Sequence, residues 1–326
     1  MERRDILVFV EQAGGGAAGP GLEALAPGRQ LADAAGGRML ALLAGADNAA
    51  AAQKAAVLAD EVLSVEGPAF GEGCFDAAVC ALQAAMERYA PAALLAGGGA
   101  AGRELTARLA ARLGAACLQD VTALEPKEDG LHCTAALYGG TVLGEFCLAA
   151  QPWVFTVRPG AFSRPAAGPA GPVTPFLVEP PAQALRAQVA EAVREIAESV
   201  DLQAAKVIVT GGRGMGSAEG FALVRQLAEL LGGVPGATRP AIEAGWISRA
   251  HQVGQSGKIV APPLYIACGV SGATQHVSGM SGAGYVVAIN KDEDAPIFEV
   301  ADLGIVGDAL QVLPVMIEEI KKRQAG

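Results

Sequence analysis

Between Leu264 and Asn290, the sequence LYIACGVSGATQHVSGMSGAGYVVAIN sets polar and ring-bearing residues between two strand-like apolar runs. Tyr265 to Ala267 reads as a buried strand, and Gly269, Ser271 and Gly272 follow as a loop. Gln275 and His276 then open a short helix, and Val286 to Ile289 resumes the strand pattern before Asn290. In an open α/β sheet the ligand crevice lies outside the carboxyl ends of the strands. This stretch therefore offers a hydroxyl, an amide and an imidazole at one such end.

Three further loops carry related chemistry. After a strand ending at Thr210 comes GGRGMGS, Gly211 to Ser217, and then a helix beginning near Ala218. Glycines let a backbone approach a phosphate, and a helix N-terminus turns partial positive charge toward it. The spacing fits neither GxGxxG nor GxxxxGK[ST], so a structural turn stands beside the nucleotide reading. Arg213 in this loop could stack on an aromatic cofactor or neutralise an oxyanion, or simply be a solvated arginine. Arg239, in GATR, offers a second fork for phosphate. VGQSGK, Val253 to Lys258, presents the Gln255 amide and the Ser256 hydroxyl, suited to a polar heterocycle or to a plain surface turn. His276 could be a satisfied core histidine or a cation beside developing negative charge. Asn290 and Asp308, near later strand ends, could hold ribose hydroxyls.

Composition narrows the function classes. The chain has 326 residues and a net charge of -10, with no dense Lys/Arg patch, which speaks against nucleic-acid binding. Its first apolar run, Ile6 to Val10, is too short for a signal peptide or a membrane span, so a cytoplasmic location without membrane insertion is expected. Six cysteines without a CxxC pair read as buried free thiols, and three histidines without a tight ligand cluster argue against a catalytic metal.

These loops need a scaffold, and the hydrophobic rhythm supplies one. Strand patterns at Ile6 to Val10, Met39 to Leu43, Val62 to Val65 and Ala92 to Ala96 alternate with helices at Ala49 to Leu58, Asp76 to Tyr89 and Arg103 to Leu113. The residues between the first two strands read as a Gly-rich loop. After residue 120, runs at Leu131 to Leu137, Val142 to Ala149 and Trp153 to Val157 suggest a more antiparallel region. Prolines and glycines interrupt Pro159 to Pro181, and Gln183 to Ser199 carries the stripe of a connecting helix. A second α/β segment follows, with strands at Val207 to Val209, Ala241 to Glu243, Leu264 to Ala267, Tyr285 to Ile289 and Gly304 to Val306, and helices at Ala218 to Leu231 and Ala309 to Lys322. The expected fold class is α/β. A Rossmann-like domain with additional β structure, residues 1–200, precedes a doubly wound parallel sheet, residues 201–326. A TIM barrel would need eight repeated units, and a β-sandwich would leave the long helices unexplained.

At this level of detail the chain resembles the α subunit of electron transfer flavoprotein. The likeness runs in order through GRELTARLAARLGA (102–115), FTVRPGAF (155–162), GGRGMGS, GATR, VGQSGKIVAP, the stretch from 264 to 290 and APIFEVADLGIVGD (295–308). It implies a heterodimer with an electron transfer flavoprotein β subunit, joined through the N-terminal domain, and FAD held by the C-terminal domain. Electrons would pass to an acyl-CoA dehydrogenase-type flavoprotein, and the chain would itself transform no acyl substrate. Arg213 would lie against the flavin ring, Ser256 near N5 and His276 near the N1/C2 carbonyl side, the three tuning its redox behaviour. Gly212, Gly214, Thr238 and Arg239 would line the cofactor from two loops, and Gln252, Val253, Gly254, Gln255 and Gly257 from a third. Ser271, Gly272, Ala273 and Gln275 would position ring, ribityl chain or phosphates, with Asn290 and Asp308 at the adenosine end. Ser256 stands where the family usually has Thr, and Thr274 where an apolar residue is common. GWISRAHQVGQSG, Gly245 to Gly257, resembles the version found in flavin-bifurcating members. In those, NADH feeds a second FAD in the β subunit and one branch reduces ferredoxin or flavodoxin. A nicotinamide dehydrogenase or a nucleotide-binding assembly module is the alternative of a different class.

Overall fold

The computed structural model describes residues 5–13, 16–71, 73–140, 142–187, 189 and 201–325. The chain divides into two compact units, one from residues up to 193 and one from 194 onward, with 138–141 grouped in the second.

In the first unit the order is β1 (Ile6–Phe9), the small antiparallel ribbon β2 (Gln12–Ala13) and β3 (Gly16–Ala17), α1 (Gly19–Ala35), β4 (Met39–Gly45), α2 (Ala49–Ala56) and β5 (Glu61–Glu66). There follow α3 (Phe75–Tyr89), β6 (Ala93–Gly97), α4 (Ala100–Leu113), β7 (Cys117–Lys127), β8 (Gly130–Leu137), β9 (Val142–Leu148), β10 (Trp153–Val157) and β11 (Val173–Pro175). Nine strands form one sheet in the order β11-β5-β4-β1-β6-β10-β7-β8-β9. Alternation along β1 builds two cores. Ile6 and Val8 pack with residues of α1 and α2, while Leu7 and Phe9 pack with residues of α3 and α4.

Several expectations change here. The Gly-rich loop after β1 is the 17-residue helix α1. Pro20 lies in its first turn, where no intrahelical N–H is lost, and Gly36 closes it in the left-handed conformation at φ 64°. Gly21 and Gly28, two turns apart, let α1 lie directly on the sheet. A Cβ would stand 2.9 Å from the Glu11 nitrogen at the first and 2.6 Å from Val8 Cγ2 at the second. The antiparallel character after residue 120 holds for β7, β8 and β9 only. β10 returns between β6 and β7 and pairs parallel with both. The interrupted segment contributes β11 at the opposite edge, where Pro175 removes no interior ladder bond. Of the connecting helix expected over 183–199, residues 182–184 form a 3-10 turn and 185–187 carry no helix, while 188 and 190–199 lie outside the described residues.

The turn from β6 into α4 carries Gly97, Gly99 and Gly102, a GxGxxG spacing that sequence reading passed over. Its glycines serve close packing. A Cβ on Gly102 would stand 1.9 Å from the Gly97 carbonyl oxygen, and one on Gly97 would stand 2.4 Å from the carbonyl carbon of Pro20. The Glu11 carboxylate sits beside Gly99, with Oε2 2.8 Å from where a Cβ would be.

Asp76, in the first turn of α3, accepts hydrogen bonds from the backbone N–H of Arg186 (2.7 Å) and Ala187 (2.9 Å) and from the Arg108 guanidinium. That arrangement fastens residues 186–187 to α3 and α4. The Arg108 hydrogen bond, reinforced by the backbone donors, holds the carboxyl down to about 2 against the opposing effect of burial.

The second unit is β12 (Val207–Gly211), α5 (Ala218–Leu230), β13 (Val234–Ala237), α6 (Arg239–Glu243), β14 (Leu264–Cys268), α7 (Thr274–Val277), β15 (Val286–Asn290), β16 (Leu303–Val306) and α8 (Ala309–Ala325). Its five strands are all parallel, in the order β13-β12-β14-β15-β16. Val209, Ile266 and Ile289 pack with residues of α5 and α8. Ile208, Tyr265 and Val286 pack under loop residues Val253, Val260, Met280 and Ile297. The strand expected at Ala241 to Glu243 is part of α6, and the strand lies earlier, at β13. Gly233, Pro235 and Gly236 make β13 look like a turn in sequence. It is an edge strand, where Pro costs no central hydrogen bond. Among the described residues, no helix is long and apolar enough to cross a membrane.

Two outcomes are expected. Gly102→Ala gains about 1 kcal/mol of helix propensity but meets backbone that cannot yield, so a net loss of about 1 to 3 kcal/mol is expected in urea unfolding. Asp76, with its folded value depressed, contributes stability that is present above the unfolded value of about 3.9 and disappears as the pH falls toward about 2. Unfolding followed through that window will show a flatter acid limb for Asp76→Asn than for the unaltered chain.

Candidate functional site

Numbered along the second unit, the strand order is 2-1-3-4-5, so the winding reverses between β12 and β14. Ligands of such sheets sit outside the carboxyl ends of the strands at that reversal. There the loops after the two strands touch. The Gly212 N–H donates to the Cys268 carbonyl (2.9 Å) and the Gly214 N–H to the Gly269 carbonyl (3.0 Å). A Cβ on Gly212 would stand 2.3 Å from the Gly269 oxygen, and one on Gly214 2.8 Å from the Gly269 Cα. Arg213 is exposed at the turn between them, and the Ser217 hydroxyl caps α5 by accepting from the Gly220 N–H at 3.1 Å.

A cavity of about 1000 Å³ opens at this point. The loop after β13 adds Thr238 and Arg239. The Thr238 N–H donates to the Gly211 carbonyl at 3.1 Å, while its Oγ1 is buried without a hydrogen-bond partner among the described residues. A buried hydroxyl without a partner costs stability. Arg239 is exposed, and its Nε donates to Glu243 at 2.8 Å, an exposed pair that a stronger anion can outcompete.

Residues 252–258 form the next wall. The Val253 N–H donates to the Ala237 carbonyl (3.0 Å) and the Gln255 N–H to the Gln275 carbonyl (2.7 Å), which ties the loop to both β13 and α7. Gly254, at φ 141°, admits the close pass: a Cβ there would stand 2.9 Å from the Gln275 oxygen. The Gln252 amide donates to Ser256 Oγ at 2.9 Å, which leaves the Ser256 hydroxyl hydrogen free to be donated. Gln255 and Ser256 are exposed at the cavity rim.

His276, buried in α7, faces the same cavity. Its Nδ1 lies 3.1 Å from the Val253 carbonyl and its Nε2 2.9 Å from the Tyr265 hydroxyl. Burial pushes the imidazole down to about 4, against the Val253 hydrogen bond. Both ring nitrogens have partners, which is the satisfied-histidine alternative of the sequence reading, and the cations on the cavity lining are Arg213, Arg239 and Lys291. Asn290, at the end of β15, donates its amide to the Val270 carbonyl (2.8 Å) and accepts from the Asp292 N–H (3.0 Å). It braces two loops at the cavity edge.

Of the residues singled out in sequence, Gly212, Arg213, Gly214, Thr238, Arg239, Gln252 to Ser256, Ser271, Ala273, Gln275, His276 and Asn290 all line the cavity. Gly257, Gly272 and Asp308 do not line it. Gly257 packs on the Gln252 carbonyl and Gly272, at φ 86°, on the Ile297 backbone nitrogen, so both shape the loops from behind. Asp308 accepts from the Leu310 N–H (2.9 Å) at the start of α8. Sequence reading missed Pro240, Val270, Lys291, Asp292, Ala295 and Pro296, which also line the cavity. The KDED run directly after a strand end was the available signal. The cysteines also need correction: Cys133 and Cys268 are buried, but Cys117 and Cys147 are exposed. A ligand cluster does form in the first unit, where Asp129, His132 and Cys147 bring donor atoms within 4.8 Å of one another. Residues 132 and 147 face each other across β8 and β9, a pairing that linear spacing conceals.

Comparison with known proteins agrees with this geometry. The family model for the electron transfer flavoprotein domain matches residues 6–182, and that for the electron transfer flavoprotein FAD-binding domain matches residues 201–281, which contain most of the cavity wall. The chain is 41% identical over 325 residues to the electron transfer flavoprotein subunit alpha of Thermoanaerobacterium thermosaccharolyticum, covering 98% of each. It is 41% identical over 326 residues to the protein FixB of Clostridium saccharobutylicum, covering 98% of this chain and 97% of that one. With the subunit alpha of Megasphaera elsdenii it shares 38% over 336 residues, covering 99% and 98%. With the matched domains spanning both units and the relatives matching from end to end, the chain belongs to the electron transfer flavoprotein α-subunit family.

Proposed function

We propose that this chain holds FAD in the cavity at the carboxyl ends of β12 to β15 and works as the electron-carrying α subunit of a cytoplasmic heterodimer. The observation that carries the reading is the cavity of about 1000 Å³ at the winding reversal, large enough for a cofactor and walled mostly by residues within the matched FAD-binding domain. Bound FAD supplies one- and two-electron redox chemistry between donor and acceptor proteins. The chain's part is to bind, orient and tune. Glycines 212, 214 and 269 keep side chains out of the loop contact, so that the two loops close together and the exposed Arg213 cation can meet an anionic ligand. Thr238 and Ser256 each offer a hydroxyl, and Ser256 keeps the donor of the usual Thr while lacking its methyl. Thr274, the second departure, is exposed at the start of α7 and stands outside the cavity lining. Residues 1–200 serve as the heterodimerisation domain with the β subunit, and residues 201–326 as the FAD-binding domain. An acyl-CoA dehydrogenase-type flavoprotein is the partner for electron exchange.

Removing a cation from beside a group that gains negative charge makes reduction harder. In the purified α/β complex, one FAD per α chain is expected in this site. Arg213→Ala is expected to lower a flavin reduction potential by the equivalent of about 1 to 3 kcal/mol, the size of a lost charge-assisted hydrogen bond. Spectroelectrochemical titration measures both. An unaltered complex that takes up no FAD on reconstitution would overturn the reading.

We further propose that the complete assembly bifurcates electrons from NADH, on the likeness of residues 245–257 to bifurcating members. In that scheme the β subunit would carry the splitting FAD, and the cavity residues of this chain would hold the FAD that serves the downhill branch toward the dehydrogenase. Downhill transfer must drive the low-potential branch, so the two are coupled. The α/β/dehydrogenase complex is expected to reduce ferredoxin or flavodoxin from NADH only while the high-potential acceptor is present. A two-FAD complex that oxidises NADH without any low-potential reduction would place the chain among non-bifurcating members.

A further inference from the structure

We propose that Tyr265 is a positioning residue for the flavin site: it donates its phenolic hydrogen to Nε2 of His276 and so holds that ring neutral, with both nitrogens engaged, at the cavity wall. The inference rests on reading the cavity as the FAD site.

The direction of each hydrogen bond follows from what the partners can do. The Val253 carbonyl only accepts, so Nδ1, 3.1 Å away, carries the ring hydrogen. In the neutral ring, Nε2 is then a lone pair, and the Tyr265 O–H, 2.9 Å away, must donate to it. Tyr265 is fully buried in β14, the strand on one side of the winding reversal, with its ring tilted 51° to the imidazole at a centroid separation of 6.2 Å. Burial pushes its phenol well above the usual range, so it remains a hydroxyl donor. Thr210 also lies by the phenol and lowers it against that burial, but its buried Oγ1 makes no hydrogen bond of ordinary geometry. The Tyr265 hydrogen is therefore committed to His276. The same carbonyl that fixes Nδ1 belongs to the loop whose Val253 N–H is held by β13 and whose Gln255 N–H is held by α7. Ring, loop and strand are thus locked together by polar contacts that all lie behind the cavity wall.

Tyr265→Phe preserves the ring and removes only the donor. Nε2 then presents a bare lone pair, whose negative potential disfavours added electrons nearby. Two measurements test this on the full chain assembled with its β subunit. In flavin-free protein labelled with 15N-histidine, the ring nitrogens of His276, assigned by subtraction of a His276→Ala spectrum, are expected to show Nδ1 protonated. In Tyr265→Phe, Nε2 is expected to move to the position of a free lone pair. In FAD-loaded protein, Tyr265→Phe is expected to lower a flavin reduction potential in the native background and to leave it unchanged in a His276→Ala background. Equal shifts in both backgrounds, no shift in either, or an unmoved Nε2 resonance in the folded variant would each overturn the proposal. Flavin content of the unaltered complex is read separately, and its failure would overturn the cofactor assignment, while the flavin-free resonance still decides the Tyr265 contact.

Discussion

The contact between two glycine loops sets what the second unit can bind. Gly212 and Gly214 donate to the carbonyls of Cys268 and Gly269 across the reversal of strand order, at separations where a single methyl would collide with backbone. Parallel strands alone would leave their end loops to diverge. Drawing these two together leaves Arg213 exposed at the cavity and joins the loops that line it. The Gln255 to Gln275 backbone hydrogen bond closes the opposite wall in the same manner. The loops that bound the cavity are thus held together by main-chain contacts, and polar side chains project from them.

The division of electrical labour inside it follows from burial. His276 and Arg213 both border the cavity, yet one is enclosed and the other exposed. Enclosure removes water from the imidazole, and its two partners are a carbonyl and a phenol, neither of which carries charge. Arg213 needs no such compensation at the rim. The sequence alone does not show which of the two is enclosed.

What could be read in advance and what could not divide along a physical line. Strands β12, β14 and β15 announce themselves as β-branched apolar runs, and the loops that follow them hold glycine beside polar residues, so most of the cavity wall was visible. Helix α1 was hidden because Gly21, Pro27 and Gly28, which disfavour an isolated helix, are tolerated where the helix must touch the sheet. Strand β13 was hidden because its glycine and proline resemble a turn until the edge position is known. Asp308 lay near a strand end in sequence, yet its carboxylate is committed to the start of α8. The pairing of His132 with Cys147 needed the register of β8 and β9. Local pattern reports what a segment prefers, and each of these positions is decided by a neighbour distant in the chain.

The first unit has its own winding reversal, between β1 and β6, and its own glycine turn into a helix. The Glu11 carboxylate beside Gly99 brings a negative charge of the chain's own to the start of α4, where a free anion would otherwise be attracted. A phosphate arriving there meets like charge. The two winding reversals thus differ in sign, one with a carboxylate of the chain beside a helix start and the other with the exposed Arg213 cation, so two similar sheets in one chain need not attract the same molecule.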